Sequence, residues 1–572
     1  MSFFLRQHSL PLFLILALYL GLVLPTVSRQ GISWDEQTDL DITRAYLNQP
    51  GGWLKGSPLD PSQTRLPHAS VALIYSLTGV SDLFTARLVS VLAGLLTLVG
   101  VDRYCQQHLS RAAALLATGL LATSPFYLSF ARVAFTETDI YLACVLIWLL
   151  IALDRLRQKS TLGRAAVVGL LLGLGLSAKF TTLSIIPVVV YTIFQGKRAS
   201  PPSNLPDASG WQVGGVAAAF YTLVVAGLAL ANTLLSGTSA AQSRYPVFLL
   251  LLIGWLLGLA WLFWHRRQTT STALLSILII SLAFLTFLIA PPDHLTNPNI
   301  LHSLLDRFQR EMRFSPAFMG EAAGLHILSI LFKSSPLVGF GLLLSWLLIL
   351  PQWRRPELRA PILISLFYFG GLVLLPLAQT FYVIPILPIL AIFAAERFCH
   401  LAARWRWAAA ALGVGAVVLL ATDLAACYPD FNLNGYQWLG AHQLLGRSSI
   451  GYRSVIQTPS DGVEQVITWL NEHTAPGERV TSYLLEDHIV KAFAPNPVYR
   501  ISNGFKELGR PITEYLVTEI NTEIPQSWWT PKTSSAVFAS PGDVAWLAEV
   551  YTKVFSVQRA FGIEMAAVWK KR

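Results

Sequence analysis

Two neighbouring acids that follow the first hydrophobic stretch are the first candidates for chemistry in this chain. Asp35 and Glu36 come shortly after the apolar run 10–27, so we expect them close to a membrane surface. Placing carboxylates beside a membrane is costly, and such residues usually serve a function. One of them could accept a proton from an acceptor hydroxyl or bind an acceptor group directly. The alternative is a solvated loop or a helix cap, and the pair alone does not separate these interpretations.

A second group of charged side chains strengthens the functional interpretation. Arg132, Glu137 and Asp139 lie at the predicted outer start of the apolar run 139–153. Acids from two distant parts of the chain, with an arginine between them, predict a polar site at one membrane face. The simpler alternative is an interfacial ion pair between Arg132 and Glu137. The catalytic candidates are Asp35, Glu36, Glu137 and Asp139.

The composition is that of an integral membrane protein. The chain of 572 residues is 53% hydrophobic and only 13% charged, with a mean hydropathy of +0.52. Soluble proteins carry about 25% charged residues. A net charge of +10 would suggest nucleic acid for a soluble protein, but here Lys and Arg lie in short links that are typical of cytosolic connections. We therefore expect no nucleic-acid partner. The four scattered cysteines match neither a disulfide framework nor a CxxC metal site.

Basic and acidic ends of the apolar runs alternate, which assigns the runs to successive membrane crossings. The pattern predicts thirteen spans, with the N-terminus inside and the C-terminus outside. The stretch 164–194 is basic at both ends, so we expect a hairpin of two short helices that meet near 175–182, with Lys179 near the turn. The other predicted spans are 10–27, 83–100, 112–124, 139–153, 212–234, 245–264, 272–290, 325–350, 360–377, 382–396 and 407–427.

The predicted fold class is a polytopic α-helical membrane protein with a C-terminal soluble α/β domain. The membrane domain covers residues 1–427, with outer loops at 28–82 and 291–324, and the extracytoplasmic domain covers residues 428–572. From Tyr428 onward the polar content is ordinary and turn signals recur. Periodicity in this part predicts a helix over 463–470 and strands over 479–484 and 535–538.

Six short motifs follow one another in a fixed order along the chain. They are Asp35-Glu36, the linked stretches 65–68 and 84–90, then 131–137, 175–181, 332–336 and 382–388. In this order the chain resembles the GT-C superfamily of membrane glycosyltransferases, in particular family 39, which contains protein O-mannosyltransferases and bacterial aminoarabinose transferases. The sequence departs from the family at three places: Pro67-His68-Ala69 stands for His-Pro-Pro, Phe381 for a basic residue and Glu137 for an Asp.

The resemblance implies transfer of a sugar from a polyprenyl-phosphate donor to an acceptor at the outer face, with inversion at the anomeric carbon. Breaking the sugar–phosphate bond builds positive charge on the sugar and negative charge on the departing phosphate. Asp35 is the expected general base or acceptor-orienting residue on the side opposite the phosphate. The residues expected to hold the donor phosphate are Arg132, Lys333, Arg65 and His68.

Several of these residues also have a simpler interpretation. Lys333 lies inside its predicted span and could extend its ammonium outward to water. Lys179 matches a family motif but is interpreted as structural, because its depth in the hairpin is unknown. Asp293 and His294 could bind a metal, but no third ligand is evident. No cofactor is assigned, and a divalent cation stays open.

Other functions remain to be weighed against sugar transfer. A transporter or lipid flippase would place charges near the membrane midplane, often in interrupted helices and internal repeats. Here the acids lie at one edge and no repeat is visible. An inactive binding or scaffold protein, and a ligase that uses diphosphate-linked glycans, also stay open. We expect a multi-pass cell-membrane protein with its active site outside. Its acceptor is a lipid, a protein or a glycan.

Overall fold

The computed structural model describes most of the membrane domain and the core of the C-terminal domain. The described residues are 9–29, 36–48, 66–134, 139–159, 161–195, 316–374, 380–431, 462–475, 477–482, 500–503, 513–519, 541–560 and 564–572. Over these ranges the protein is polytopic and helical, with a C-terminal α/β domain, so the predicted fold class is confirmed.

The first half of the membrane domain is built from nine described helices, four of which begin at a capping side chain. Asp82, Ser110, Ser124 and Thr161 each accept a backbone N–H from the first turn of the helix that follows, as N-cap residues do. The helices are α1 Ser9–Val27, α2 Glu36–Asn48, α3 Leu66–Thr78, α4 Leu83–His108, α5 Arg111–Ala122, α6 Pro125–Ala131, α7 Asp139–Gln158, α8 Leu162–Ala178 and α9 Ile186–Gln195.

The described part of the second half contains five helices and two 3-10 segments. The helices are α10 Pro316–Lys333, α11 Pro336–Ile349, α12 Pro356–Leu374, α13 Leu387–Arg404 and α14 Arg406–Cys427. The 3-10 segments are Leu350–Arg354 and Thr380–Ile386, and a third, Phe180–Ile185, connects α8 to α9. The predicted spans 212–234, 245–264 and 272–290 lie outside the described residues.

Burial separates lipid-facing helices from central ones. Within the described ranges six helices are long and apolar enough to cross a membrane, or seven if the pair α5 and α6, bent by 63° at Ser124, is one span. The count of thirteen is therefore not confirmed. Only 22% of the apolar window of α1 and 17% of that of α14 is buried, whereas 72% is buried for the segment 380–404. The first two thus line the rim and the last lies at the centre.

Charged residues distinguish two ends of the bundle. At the basic end, Arg157 near the end of α7 donates to the carbonyl of Pro356 at the start of α12 (2.7 Å). Arg355 beside it pairs with Glu396 of α13 (2.6 Å). At the opposite end, which we call the acidic end, Asp139 begins α7.

The segment 162–195 leaves the basic end and returns to it. Helix α8 has 17 residues and is therefore roughly 25 Å long, close to the thickness of a hydrocarbon core. It ends at Ala178, and Lys179 has extended backbone. At the far end of α9, Tyr191 and Thr192 line a cleft with Arg157 and Glu357 of the basic end. The segment is thus a hairpin with Lys179 at its acidic-end turn, as its two basic ends predict.

The predicted span 325–350 is not one helix, which corrects the sequence-based boundary. Helix α10 ends at Lys333, and Ser335 takes a φ of 75° before α11 begins at Pro336. Proline disfavours helical conformation in the residue before it and has no N–H to donate. The two helices therefore meet at an interruption formed by Ser334 and Ser335, which we call the α10–α11 break.

The predicted outer loops also need correction, because they contain helices. The region 28–82 holds α2 and α3, and α10 begins at Pro316, inside the predicted loop 291–324. Helix α3 has 13 residues, too few to cross a membrane, and it buries Val71, Ala72 and Tyr75. A short helix of this kind is stabilised by packing, which a hydropathy pattern does not show.

The C-terminal domain has a mixed five-stranded sheet between two helices. The strands are β1 Arg479–Ser482, β2 Arg500–Asn503, β3 Tyr515–Glu519, β4 Tyr551–Gln558 and β5 Glu564–Lys571, in the order β2-β1-β3-β5-β4. Strand β1 is parallel to β2 and β3, whereas β5 is antiparallel to β3 and β4. Helix α15, Val463–His473, covers the face of Val517, and α16, Pro541–Val550, covers the face of Leu516. The predicted strand 535–538 lies outside the described residues.

The C-terminal domain is attached to the acidic end. The backbone N–H of Ala560 donates to Asp430 Oδ2, just after α14 (2.9 Å). Leu83, the first residue of α4, packs against the apolar core beneath α15. The domain therefore lies on the side of the bundle where the candidate acids are found.

Gly339 should be intolerant of a side chain because α11 packs tightly on α10. A Cβ added there would lie 2.3 Å from the Leu331 carbonyl oxygen, whereas at Gly341 nothing lies within 4 Å. Overpacking costs about 1–3 kcal/mol, and an alanine in a helix otherwise gains up to about 1 kcal/mol over glycine. We expect Gly339→Ala to lower the thermal unfolding midpoint in detergent and Gly341→Ala to leave it unchanged or raise it. Equal midpoints for the two variants would contradict this packing.

Candidate active site

Five of the eight predicted site residues lie in the part of the chain that the structure describes. They are Glu36, His68, Arg132, Asp139 and Lys333. Asp35, Arg65 and Glu137 lie outside the described residues. The geometry of the first five, and of the residues that they contact, therefore defines the candidate site.

Glu36 is the centre of a buried hydrogen-bond network. The Arg87 guanidinium donates from Nε to Glu36 Oε1 (2.9 Å) and from Nη2 to Oε2 (2.6 Å). The backbone N–H of Ala134 also donates to Oε1 (2.7 Å), and Arg87 Nη1 donates to the Val27 carbonyl (2.6 Å). Glu36 is 0% and Arg87 2% exposed. Bidentate pairs of this kind are strong and geometrically specific. We call these four residues the Glu36 network.

The Glu36 network joins three segments that are far apart in sequence. It ties the start of α2 to the second turn of α4 and to the residues after α6. Asp82 caps α4 by accepting the Thr85 N–H (2.7 Å), and this cap fixes the register that turns Arg87 inward. In the sequence, Asp35 directly precedes Glu36, and Glu137 follows Ala134 by three positions.

Sequence reasoning did not assign a role to Arg87. The arginine stands in the motif 84–90 at the start of an apolar helix, and this position was the available signal. A charged residue among apolar neighbours usually has a partner. The pattern could not say that its partner is Glu36, 51 residues earlier. Because both carboxylate oxygens of Glu36 are engaged, its geometry fits a positioning role better than that of a free base.

His68 connects α3 to α2. Its Nδ1 lies 3.1 Å from Thr43 Oγ1, and its Nε2 lies 3.5 Å from Asp39 Oδ1. All three side chains are buried. His68, predicted to contact the donor phosphate, is thus held within the helices that follow the first span. This contact supports a role in packing α3 on α2.

Asp139 forms an ion pair with Lys179 at the acidic end. The two meet because α7 begins at Asp139 and the antiparallel α8 ends just before Lys179. The Lys179 ammonium also lies 3.8 Å from the centroid of the Tyr382 ring and 5.1 Å from that of Phe381. Asp139 is 0% exposed, and within the described ranges its Oδ1 has no hydrogen-bond partner. One carboxylate oxygen is therefore left for a further donor.

Polar side chains continue around this pair. Thr181 Oγ1 lies 3.1 Å from the Tyr368 hydroxyl of α12, and both residues are buried. Nearby in sequence, the Ser177 and Thr182 hydroxyls are buried without a hydrogen-bond partner among the described residues. Together with Asp139 these groups could bind the hydroxyls of a polar ligand, because unsatisfied buried hydroxyls gain most from a partner.

Arg132 is turned towards the segment that leads into the C-terminal domain. Its Nη1 donates to the Pro429 carbonyl (2.5 Å), and its guanidinium lies 5.1 Å from the centroid of the Phe431 ring. The side chain is 1% exposed. Arg132 was predicted to bind the donor phosphate, and in this structure it fastens residues 429–431 to the end of α6.

Lys333 is the last residue of α10 and is only 2% exposed. The simpler sequence interpretation, an ammonium that extends outward to water, does not fit this burial. Helix α10 packs against α6 and against the 3-10 segment Thr380–Ile386, which carries Tyr382. Lys333 therefore belongs to a helix that borders the other candidate residues.

Removing the positive charge of Arg87 should destabilise the protein strongly. Arg87→Met keeps the apolar stem but leaves Glu36 buried without its counter-ion, a loss of about 3–5 kcal/mol. The control is Arg44→Met, which removes a partly exposed guanidinium that pairs with Asp41 at 3.6 Å and donates to the Ser81 carbonyl (3.0 Å), and it should cost about 1–2 kcal/mol. Unfolding in detergent measures both. A loss for Arg87→Met no greater than that of the control would contradict a structural network.

Asp139 and Lys179 should be energetically coupled. In a double-mutant cycle of Asp139→Asn and Lys179→Met, we expect the double variant to be more stable than the sum of the single losses predicts, by about 1–3 kcal/mol. The exposed pair Lys553 and Glu564, at 2.6 Å, is the control and should show coupling below about 1 kcal/mol. No coupling at the first pair would show that the two side chains are independent.

Comparisons with known proteins give one family match and several structural likenesses. Residues 66–219 match the family described as dolichyl-phosphate-mannose-protein mannosyltransferase. No curated protein matches the chain. ArnT from Cupriavidus metallidurans, in a crystal structure with undecaprenyl phosphate, is 15% identical over 97% of both chains, with a TM-score of 0.47. The archaeal oligosaccharyltransferase AglB from Archaeoglobus fulgidus, in complex with an inhibitory peptide and a dolichol-phosphate, is 14% identical over 91% of this chain and 70% of that chain, with a TM-score of 0.45.

The family match bears on one segment of the chain. With TM-scores below 0.5, the two structural likenesses carry no argument about this protein. The family match covers Arg87, Arg132, Asp139 and Lys179, and it contains two of the six motifs in full and a third except for Arg65. The chain is thus a multi-pass membrane protein whose segment 66–219 matches the dolichyl-phosphate-mannose-protein mannosyltransferases, and its predicted resemblance to GT-C membrane glycosyltransferases is confirmed.

Proposed function

We propose that this protein transfers a sugar from a polyprenyl-phosphate donor to an acceptor at the outer face of the membrane, with inversion at the anomeric carbon. The single observation that carries the proposal is the Glu36 network. It draws together the segment that begins α2 and the segment that follows α6, which contain the candidate acids. A reaction that separates charge needs groups of this kind at one place.

Asp35 is the proposed base or acceptor-orienting carboxylate. It directly precedes Glu36, whose two oxygens are already engaged by Arg87 and Ala134. The two acids therefore have different roles in this proposal. Glu36 fixes the position of the chain, and Asp35 acts on the acceptor. As the sugar leaves the phosphate, positive charge develops at the anomeric carbon, and a carboxylate on the opposite side stabilises it. Attack from that side inverts the configuration.

The cation that best fits the leaving phosphate is Lys333. Arg132 contacts Pro429 and Phe431, and His68 contacts Thr43, so both support the fold around the site. Lys333 is buried at an interruption of the helical backbone, where a phosphate could approach it. Asp139, with one unpartnered oxygen, is proposed to bind a sugar hydroxyl. Glu137 is proposed to act beside it.

The acidic end is proposed to face outward. Lysine and arginine prefer the cytosolic side of a membrane. This preference supports an outward-facing acidic end and C-terminal domain, because six such residues lie at the basic end: Arg155, Arg157, Lys159, Arg164, Arg354 and Arg355. The donor is a lipid that reaches the site from the bilayer. The acceptor is a lipid, a protein or a glycan, and the sugar is a hexose or a pentose.

A transporter or lipid flippase is the alternative, and the position of the buried ion pair speaks against it. Transporters place coupling charges near the midplane. Lys179 follows α8, so it lies roughly 25 Å from the basic end, near the far edge of a hydrocarbon core of about 30 Å. A charge at the edge suits a reaction at the membrane surface.

Asp35→Asn should abolish transfer while the donor still binds. Purified protein is incubated with a panel of radiolabelled polyprenyl-phosphate sugars, and released or transferred sugar is measured. Loss of a general base lowers the rate by about 10²–10⁴-fold. Asp41→Asn, on the exposed face of α2, is the control and should keep the unmodified rate.

Two results would contradict the assignment. Equal turnover of Asp35→Asn and the unmodified protein would remove Asp35 from the mechanism. Release of no sugar from any donor by the unmodified protein, with donor and acceptor supplied, would count against sugar transfer itself. The anomeric configuration of the product, read by NMR, tests inversion separately.

A further inference from the structure

We propose that the α10–α11 break is the subsite for the phosphoryl group of the donor lipid, with the Ser334 and Ser335 hydroxyls as ligands beside the Lys333 ammonium. This inference rests on the proposed function and deepens it. Ser334 and Ser335 belong to the motif 332–336, in which the sequence analysis assigned a role only to Lys333. The ligand chemistry is a phosphate monoester carried on a prenyl chain.

Both serine hydroxyls at the α10–α11 break are buried and unsatisfied. Ser334 and Ser335 are 0% exposed, and their Oγ atoms have no hydrogen-bond partner among the described residues. Other buried serines in the same region donate to a nearby carbonyl, as Ser329 does to Leu325 (2.6 Å). An unmade hydrogen bond in a membrane interior is costly. Two such hydroxyls in succession indicate a ligand that accepts hydrogen bonds from both.

The backbone conformation of Ser335 also indicates a ligand site. Its φ of 75° is the one positive value recorded for a non-glycine residue within the described ranges. A glycine would adopt this conformation without steric conflict. A serine that is kept in such a conformation, and that makes no capping bond to its own helix, is a strained residue of the kind that clusters at ligand sites.

Positive charge at the α10–α11 break also favours a phosphate. Ser335 is the N-cap of α11, a helix of 14 residues whose first N–H groups point to the break. The N-terminus of a helix carries partial positive charge and binds phosphate readily. Lys333 adds a full positive charge two residues away in a buried position. A cation, two hydroxyl donors and a helix N-terminus together match a phosphate and would repel a second cation.

The position of the α10–α11 break in the bundle also fits a phosphate subsite. Helix α10, which ends at the break, packs against α6, the helix that leads to Arg132. It also packs against the 3-10 segment 380–386, whose Tyr382 lies over the Lys179 ammonium. The break is therefore carried by a helix of the acidic end, where the leaving phosphate must be held if the carboxylates act on the sugar.

The test is binding of a prenyl phosphate to the full-length protein in nanodiscs. The probe is a radiolabelled C15 prenyl monophosphate, and the variants are Ser334→Ala and Ser335→Gly. Glycine removes the hydroxyl while accepting the positive φ. Loss of one hydrogen bond to a charged group should weaken binding roughly tenfold in each variant. Ser334→Thr keeps a hydroxyl and should restore most of the affinity.

Controls separate the phosphate from the lipid chain and from the fold. Ser329→Ala, one turn earlier on α10, removes a buried hydroxyl that already has a partner and should bind as the unmodified protein does. The C15 prenol, which has no phosphate, should bind equally weakly to all variants. Inorganic phosphate should compete weakly and phosphatidylglycerol should not compete. Thermal unfolding confirms that every variant is folded.

The outcomes distinguish this subsite from the proposed function. If the prenyl phosphate binds Ser334→Ala and Ser335→Gly as tightly as Ser329→Ala, the break holds only water and the subsite is overturned, while sugar transfer stands. If phosphatidylglycerol competes equally, the break is a general anionic-lipid site and the donor assignment is overturned. If the unmodified protein binds no prenyl phosphate, both the subsite and the proposed function fail.

Discussion

The buried ion pair between Glu36 and Arg87 is the interaction on which the candidate site depends. Two opposite charges inside a membrane protein are costly to desolvate. They form a stable pair only when the pair has good hydrogen-bond geometry and further hydrogen bonds satisfy the remaining donors and acceptors. Among the described residues, the carboxylate accepts two hydrogen bonds from Arg87 and one from the Ala134 backbone. The arginine is further held by the Val27 carbonyl. The pair thus fixes the positions of three chain segments at the acidic end of the bundle.

Interrupted helices deliver the other polar groups to the same end. The hairpin of α8 and α9 turns at Lys179 and brings its ammonium to Asp139. The break between α10 and α11 follows Lys333 and leaves two serine hydroxyls buried. Irregular backbone at membrane depth is tolerated only where protein surrounds it or where it lines a polar cavity. Each interruption therefore coincides with polar side chains, and neither would be stable in contact with lipid.

The geometry divides the charged residues into those that hold the fold and those that could act on a substrate. Arg132 and His68 were expected at the donor phosphate, and both are engaged by neighbouring parts of the protein. Arg132 links the membrane domain to residues 429–431, close to where Asp430 contacts the C-terminal domain. The two domains are thus joined beside the candidate site.

Sequence alone determined the class of protein and the hairpin. These features follow from hydropathy and from the placement of basic residues, which are properties of short stretches. It also singled out the acids, because a carboxylate beside a membrane is costly wherever it lies. The helices within the predicted loop 28–82 and the break within 325–350 escaped it, since packing and one backbone angle decide them.

Only the tertiary structure decided which charges meet. Glu36 and Arg87 are 51 positions apart, and Asp139 and Lys179 are 40 apart. A local pattern shows that a buried charge needs a partner but carries no distance information that identifies it. The pairing depends on helix register, on caps such as Asp82 and on the direction of each crossing. These are set when the helices pack, because only then does desolvation select the partner that best restores the lost hydrogen bonds.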